Sequence, residues 1–219
     1  MRRLFVFRPE PAASRTVENA RAMGLEAVSI PLFELEPVEW SAPDPADFDA
    51  ILLTSANAVN MAGGELERLR GLPVHAVGEA TEVAACVAGL GVATTGQGGV
   101  DELLATIEPG ARLLHLCGED RRAPTAAAQS ITTVTVYRAR LIDDADLAGL
   151  QAQVAALHSP RAGRRLAELV GKPARSTVKI AAISQATAET VGKGWEDVRV
   201  APEPHDAALL ALAARLCET

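Results

Sequence analysis

Short apolar runs alternate with segments of helical spacing along the whole chain. Residues 4–8 read as a strand, closed by Pro9-Glu10-Pro11. Ala13, Val17 and Ala20 then keep the spacing of one helix face, and Gly24 stands just past the helix end. Residues 27–35 are nearly continuous in apolar side chains, as a parallel strand covered on both faces would be. The Pro-rich stretch 37–45 reads as a linker. Further strands are predicted at 50–53, 74–77, 92–95, 113–117, 132–137, 154–158, 180–183 and 198–201. Helical patterns lie between them, one over 79–88 closed by Gly89 and another opening at Asp101. The last helix puts Leu209, Leu212, Ala213 and Leu216 on one face, with Asp206 as its expected N-cap. This alternation predicts α/β architecture, with parallel sheets covered by helices and joined by right-handed crossovers.

Three short patterns occur twice in the same order. Thr54-Ser55-Ala56-Asn57 is matched by His158-Ser159-Pro160-Arg161. Val77-Gly78-Glu79-Ala80-Thr81 is matched by Ile183-Ser184-Gln185-Ala186-Thr187. Val100-Asp101 is matched by His205-Asp206. The offsets fall between 104 and 106 residues, which argues for a duplicated unit. The second copy has too few strands for its own sheet unless the N-terminal strands join it. The expected layout is therefore a discontinuous domain 1 (1–36 plus 142–219) and an inserted domain 2 (44–138). Linker strands are expected at 37–43 and 138–142, with a ligand cleft between the domains.

Composition narrows the partners. The net charge is −7, aromatics are 3 % and no basic run occurs, so nucleic acid is not expected. The three cysteines lack ligand spacing, and no apolar run reaches membrane-spanning length. A cytoplasmic protein with free thiols, no membrane partner and a monomeric state is expected. A P-loop lysine, a dinucleotide fingerprint and a nucleophile elbow are all missing from the sequence, and the four histidines share no ligand spacing, so no metal is expected.

What remains is a set of strand-to-helix joints. Ser55, Gly78, Ser159 and Ser184 each follow an apolar strand and precede a helix. A serine there caps the first turn, and the free N–H groups of that turn can receive an anion. Such crevices at the carboxyl ends of parallel strands are the usual ligand sites of open α/β sheets. Thr81 and Thr187 stand three residues further on, as helix-surface residues or capping partners. Arg121-Arg122, and Arg161 with Arg164 and Arg165, could bind carboxylates or remain solvated surface charge. Tyr137, the single tyrosine, ends a strand. A phenol is a hydrogen-bond donor at neutral pH and can serve as a general acid, or simply pack at a sheet end.

In order and spacing, Val6-Phe7-Arg8-Pro9, Gly24, Pro31, Leu53-Thr54-Ser55-Ala56-Asn57-Ala58-Val59, Ala76-Val77-Gly78-Glu79-Ala80-Thr81, Leu116-Cys117-Gly118, Val136-Tyr137, Ser159-Pro160 and Ile183-Ser184-Gln185-Ala186-Thr187 resemble the uroporphyrinogen-III synthase family over essentially the whole chain. The resemblance implies two flavodoxin-like parallel-sheet domains, the first discontinuous, joined by a two-stranded linker. It implies cyclisation of hydroxymethylbilane, a linear tetrapyrrole with eight carboxylates, to uroporphyrinogen III, with loss of water and inversion of the last ring and without a cofactor. On the same basis Tyr137 matches the proposed acid, and Arg8, Ser55, Asn57, Gly78, Thr81, Gly118, Ser159, Ser184 and Thr187 fall at cleft-lining positions. Two departures stand out: Phe7 replaces the usual threonine, and residues 119–130 lack the usual Leu-rich helix. The alternatives are a non-enzymatic two-lobed binder of an anionic small molecule and a signalling pair. Asp49 precedes its strand, which disfavours the latter.

Overall fold

The computed structural model describes residues 1–121 and 123–218. The chain divides into two compact units, Met1–Glu34 with Leu141–Thr219, and Leu35–Arg140. Each is built on a mostly parallel sheet. Arg122, one of the candidate carboxylate binders, lies outside the described residues.

Unit 1 contains β1 (Leu4–Phe7), α1 (Ala12–Ala22) and β2 (Ala27–Ser29). The edge strand β3 (Phe33–Pro37) leads into unit 2. There follow β4 (Ala50–Leu53), α2 (Ala56–Met61), β5 (Val74–Val77), α3 (Glu79–Val87), β6 (Val92–Gly96), α4 (Val100–Ala105), β7 (Arg112–Gly118) and β8 (Ser130–Leu141). The chain returns to unit 1 through β9 (Val154–Leu157), α5 (Pro160–Leu169), α6 (Lys172–Arg175), β10 (Lys179–Ala182), α7 (Gln185–Thr190), β11 (Asp197–Val200) and α8 (Asp206–Glu218).

The sheet of unit 1 has the order β11-β10-β9-β1-β2, with every neighbouring pair parallel. The sheet of unit 2 has the order β6-β5-β4-β7-β8, parallel throughout, with β3 added outside β8. Val38 N–H donates to Val136 C=O at 2.9 Å and Ile142 N–H to Leu32 C=O at 3.1 Å, so β3 runs antiparallel to β8. Strands β1, β4, β9 and β10 are buried along their whole length because helices cover both faces. One core gathers Leu4, Val6, Val154 and Ala156 against Leu209, Leu212 and Leu216 of α8. In unit 2, Ile51, Leu53, Val74 and Leu116 pack under α2 and α3. On the opposite face Leu52 and Leu113 meet Leu103 and Leu104 of α4.

The repeated segments prove to be three consecutive βα units. β4-α2, β5-α3 and β6-α4 correspond to β9-α5, β10-α7 and β11-α8, in the same sheet order. The remaining two strands are β7 and β8 in unit 2 but β1 and β2 in unit 1. Unit 1 is thus a circular permutation of unit 2. Entered at β9, it runs to α8 and resumes at β1, where Arg2 N–H donates to Cys217 C=O at 2.9 Å.

The structure corrects some sequence expectations. Residues 27–35 are not one strand. Ile30 N–H makes the last bond toward β1, to Val6 C=O at 3.0 Å, and Pro31 has no N–H to continue the ladder. The chain leaves the sheet there and pairs next as β3 with β8, so the paired entry segment is Phe33–Pro37 rather than 37–43. The Ala-rich segment before His158, by contrast, is a strand as expected, Val154–Leu157.

Candidate functional site

In an open parallel sheet the ligand crevice lies at the carboxyl ends of the strands, where the strand order reverses. In unit 2 that point is between β4 and β7, with Leu53 opposite Leu116. A pocket of about 290 Å³ opens there, lined by Thr54, Ser55, Cys117, Gly118, Arg121 and Tyr137 among others. Tyr137 reaches it through a bulge. Cys117 pairs with Thr135 but Gly118 with Tyr137, so Val136 is the extra residue. A bulge bends its strand and re-aims the next side chain. Here it lays the Tyr137 ring against Gly118, whose missing Cβ would fall 2.6 Å from Cζ and 2.9 Å from Oη. Glu119 N–H fixes the Tyr137 carbonyl at 2.9 Å. Gly118, expected to line the site, is therefore also the clearance the tyrosine needs.

His115, 2 % exposed, points the other way along β7, with Nε2 3.1 Å from Thr54 Oγ1. Burial, helped by the Arg121 charge, pushes its pKa down to about 4. It is neutral at pH 7 and orients the Thr54 hydroxyl. Burial also raises the Cys117 thiol, whose Sγ donates to Val134 C=O at 3.6 Å.

In unit 1 the reversal lies between β1 and β9, with Phe7 opposite Leu157. Arg8 and His158 are the next residues. Asp206 Oδ1 accepts from His158 Nε2 at 2.8 Å and from Thr16 Oγ1 at 2.9 Å. Arg8 Nη1 donates to Thr16 Oγ1 at 3.0 Å and lies 3.5 Å from Asp206 Oδ1. Burial works to raise the Asp206 pKa, but the hydrogen bonds from His158 and Thr16 prevail and hold it at about 2. Burial lowers the pKa of His158. This cluster was not assembled from the sequence, which assigned Asp206 to helix capping. The cap acceptor is instead His205 Nδ1, receiving Ala208 N–H at 3.2 Å, and the Asp206 carboxylate turns toward His158.

Ser55, Ser159 and Ser184 are N-caps of α2, α5 and α7. Their Oγ atoms accept from the N–H groups of Asn57 (3.2 Å), Ala162 (3.2 Å) and Thr187 (3.3 Å). These oxygens accept from their own helices, which leaves the hydroxyl hydrogens of Ser55 and Ser159 and the uncapped N–H groups of the first turns for a ligand. Gly78 opens α3 with φ of 80°, a conformation that favours glycine. Thr81 and Thr187, expected at the crevice, are 4 % and 0 % exposed. Thr187 Oγ1 meets Ser184 Oγ at 3.0 Å, so it supports the cap from within. Asn57 lies in the first turn of α2. Arg161 stacks over Phe33 at 4.4 Å, and Arg165 pairs with Asp143 at 3.1 Å. Among the described residues no cluster of metal-ligating side chains occurs, and no helix is long and apolar enough to cross a membrane.

The family profile described as "Uroporphyrinogen-III synthase HemD" matches residues 14–211. The uroporphyrinogen-III synthetase structure from Helicobacter pylori is similar at 18 % identity with a TM-score of 0.69, covering 99 % of this chain and 100 % of that one. A mutant uroporphyrinogen III synthase from Thermus thermophilus is similar at 17 % identity with a TM-score of 0.52, over 99 % and 100 % of the two chains. At these identities the structural likeness speaks for the two-domain fold. No curated protein sequence matches the chain. The profile spans nine-tenths of the residues, and on that ground the chain belongs to the uroporphyrinogen-III synthase family, cyclising lyases of tetrapyrrole biosynthesis.

Proposed function

We propose that in this chain Tyr137 is the general acid of the family's reaction, and that carboxylates of the substrate are received at the carboxyl ends of the strands of each unit. The reaction closes hydroxymethylbilane to uroporphyrinogen III. The pyrrole nitrogen's electron pair drives out the terminal hydroxyl, which needs a proton to leave as water. Ring closure then inverts the last ring through a spiro intermediate. Because free hydroxymethylbilane also closes unaided, to the wrong isomer, the enzyme's main task is to impose geometry.

The carrying observation is the bulge that turns Tyr137 onto Gly118 beside the unit 2 pocket. Of the other titratable groups that line this pocket, Cys117 is a buried thiol, Arg121 a guanidinium and Asp120 a carboxyl group, which when ionised only accepts; His115, bonded to Thr54, is neutral. At about 290 Å³ the pocket lies at the lower end of small-molecule sites, so it suits the hydroxymethyl-bearing end of the bilane rather than the whole tetrapyrrole. The helix starts opened by Ser55, Gly78, Ser159 and Ser184, the Asn57 side-chain amide and the Arg8 guanidinium are the proposed carboxylate donors, with Thr81 and Thr187 buried behind them. A non-enzymatic anion binder would have no use for a bulge that aims a lone phenol. We further propose that the chain works as a cytoplasmic monomer without nucleic acid as a partner. In single-turnover kinetics Tyr137→Phe is expected to slow ring closure by roughly 10²-fold, within the range of general-acid catalysis. A wild-type rate would remove Tyr137 from the mechanism.

A further inference from the structure

The Asp206 cluster has a counterpart in unit 2 that separates what the fold requires from what is added. Asp101, at the same place in the repeat, sits in the first turn of α4 and binds Thr125, whose N–H donates at 2.8 Å. Thr125 belongs to the segment joining β7 to β8. Thr16 belongs to α1, which joins the corresponding strands β1 and β2. In both units, then, an aspartate at the start of the third helix clamps the connection after the fourth strand. In unit 2 the positions facing one another at the strand ends are Thr54 and Cys117. In unit 1 they are His158 and Arg8. The clamp therefore works without either His158 or Arg8.

Arg8 differs from Arg2 and Arg112, whose guanidinium forks are closed on a carboxylate. Arg2 grips Glu196 through two nitrogens at 2.8 and 2.7 Å, and Arg112 grips Asp49 at 3.3 and 2.7 Å. Arg8 uses Nη1 alone, firmly to Thr16 and at the 3.5 Å limit to Asp206. Its Nε and Nη2 make no hydrogen bond among the described residues, and its side chain is 29 % exposed. Asp206 is already served by Thr16, His158 and, at 3.5 Å, Asn19, so it does not draw the guanidinium into a closed pair. His158 donates from Nε2, and its buried Nδ1 has no partner. The imidazole thus has a single donor, and Asp206 takes it.

We propose that Asp206 and His158 are positioning residues that hold Arg8 half-satisfied, with one guanidinium edge presented to a carboxylate of the linear tetrapyrrole. This rests on the proposed function above. A planar fork held at one nitrogen meets a carboxylate through the remaining pair without reorganisation. The anchor acts in ground state and transition state alike, so its loss raises KM more than it lowers kcat.

The test is steady-state cyclisation of hydroxymethylbilane by the full chain, with melting temperatures in parallel. Arg8→Gln is expected to raise KM about tenfold, as for a lost charge-assisted contact. Asp206→Asn should raise KM several-fold in the wild-type background and leave it unchanged on top of Arg8→Gln. Asp101→Asn should lower the melting temperature by a similar amount without moving KM. His158→Leu should raise KM and His158→Gln, which keeps a donor for Asp206, should restore it. These last two carry the test if Asp206→Asn does not fold. An Asp206→Asn or His158→Leu protein with unchanged KM, or equal effects with and without Arg8, overturns the proposal. Absence of the type III isomer from the wild-type chain would instead overturn the functional reading.

Discussion

Gly118→Ala tests the link between backbone and chemistry. A Cβ built on Gly118 falls 2.6 Å from Tyr137 Cζ, 2.8 Å from Cε2 and 2.9 Å from Oη. Comfortable carbon contacts begin near ~3.5 Å, so the ring must withdraw by roughly 1 Å. Gly118 is not among the glycines with positive φ, so the backbone itself accepts alanine and the whole effect falls on the tyrosine. Overpacking of this kind costs about 1–3 kcal/mol, which leaves a folded protein. A misplacement of about 1 Å in a reacting group costs on the order of 10²-fold in rate. Single-turnover closure of hydroxymethylbilane should therefore fall by roughly that factor, alongside a folded circular-dichroism spectrum. The same change made in Tyr137→Phe should cost little more, because the phenol is already gone and the two losses share one cause. Wild-type turnover in Gly118→Ala, or losses that multiply in the double variant, would refute the reasoning.

Other expectations follow from the same contacts. Asp206 is held at about 2 against an ordinary 3.8, so its carboxylate stabilises the fold by about 2 kcal/mol above pH ~4, a contribution lost as pH falls toward 2. His158 is lowered as well, so the unfolded chain takes up its proton first and stability also declines below about pH 6.5. Urea midpoints of wild type and Asp206→Asn should converge between about pH 4 and pH 2, and a constant gap would contradict the assignment. Leu52→Ala, fully buried on β4, should cost about 2–5 kcal/mol in urea unfolding, and a smaller loss would mean the site collapses freely. A circular permutant that joins the ends by a short linker and opens at residues 143–146 should fold and stay active, since Arg2 and Cys217 are already bonded. An unfolded permutant would deny that the two units share one design.

Much of the fold is written in local pattern. Leu4–Phe7 and Ala50–Leu53 are apolar at every position because both their faces are covered, and Ser55, Ser159 and Ser184 cap because each ends an extended run. The repeat also located matching βα units, because identical helix starts need similar residues at similar spacing. What pattern alone could not reveal depends on partners distant in sequence. The bulge at Tyr137 is defined by pairing between β7 and β8. The turning of Asp206 toward His158 and Thr16 joins residues 48 and 190 positions apart. The break at Pro31 had a local signal, the missing N–H, within a nearly continuous apolar run. For Asp206 the available clue was its repeat partner Asp101, since one duplicated aspartate suggests a shared clamp.

The most direct measurement is the isomer composition formed when the purified chain meets freshly made hydroxymethylbilane at neutral pH, separated chromatographically after oxidation to the porphyrins. Enforced geometry at the ring-closing step predicts the type III isomer in large excess over the spontaneous background, with the excess strongly reduced in Tyr137→Phe. Type I isomer alone, at the rate seen without protein, would contradict it.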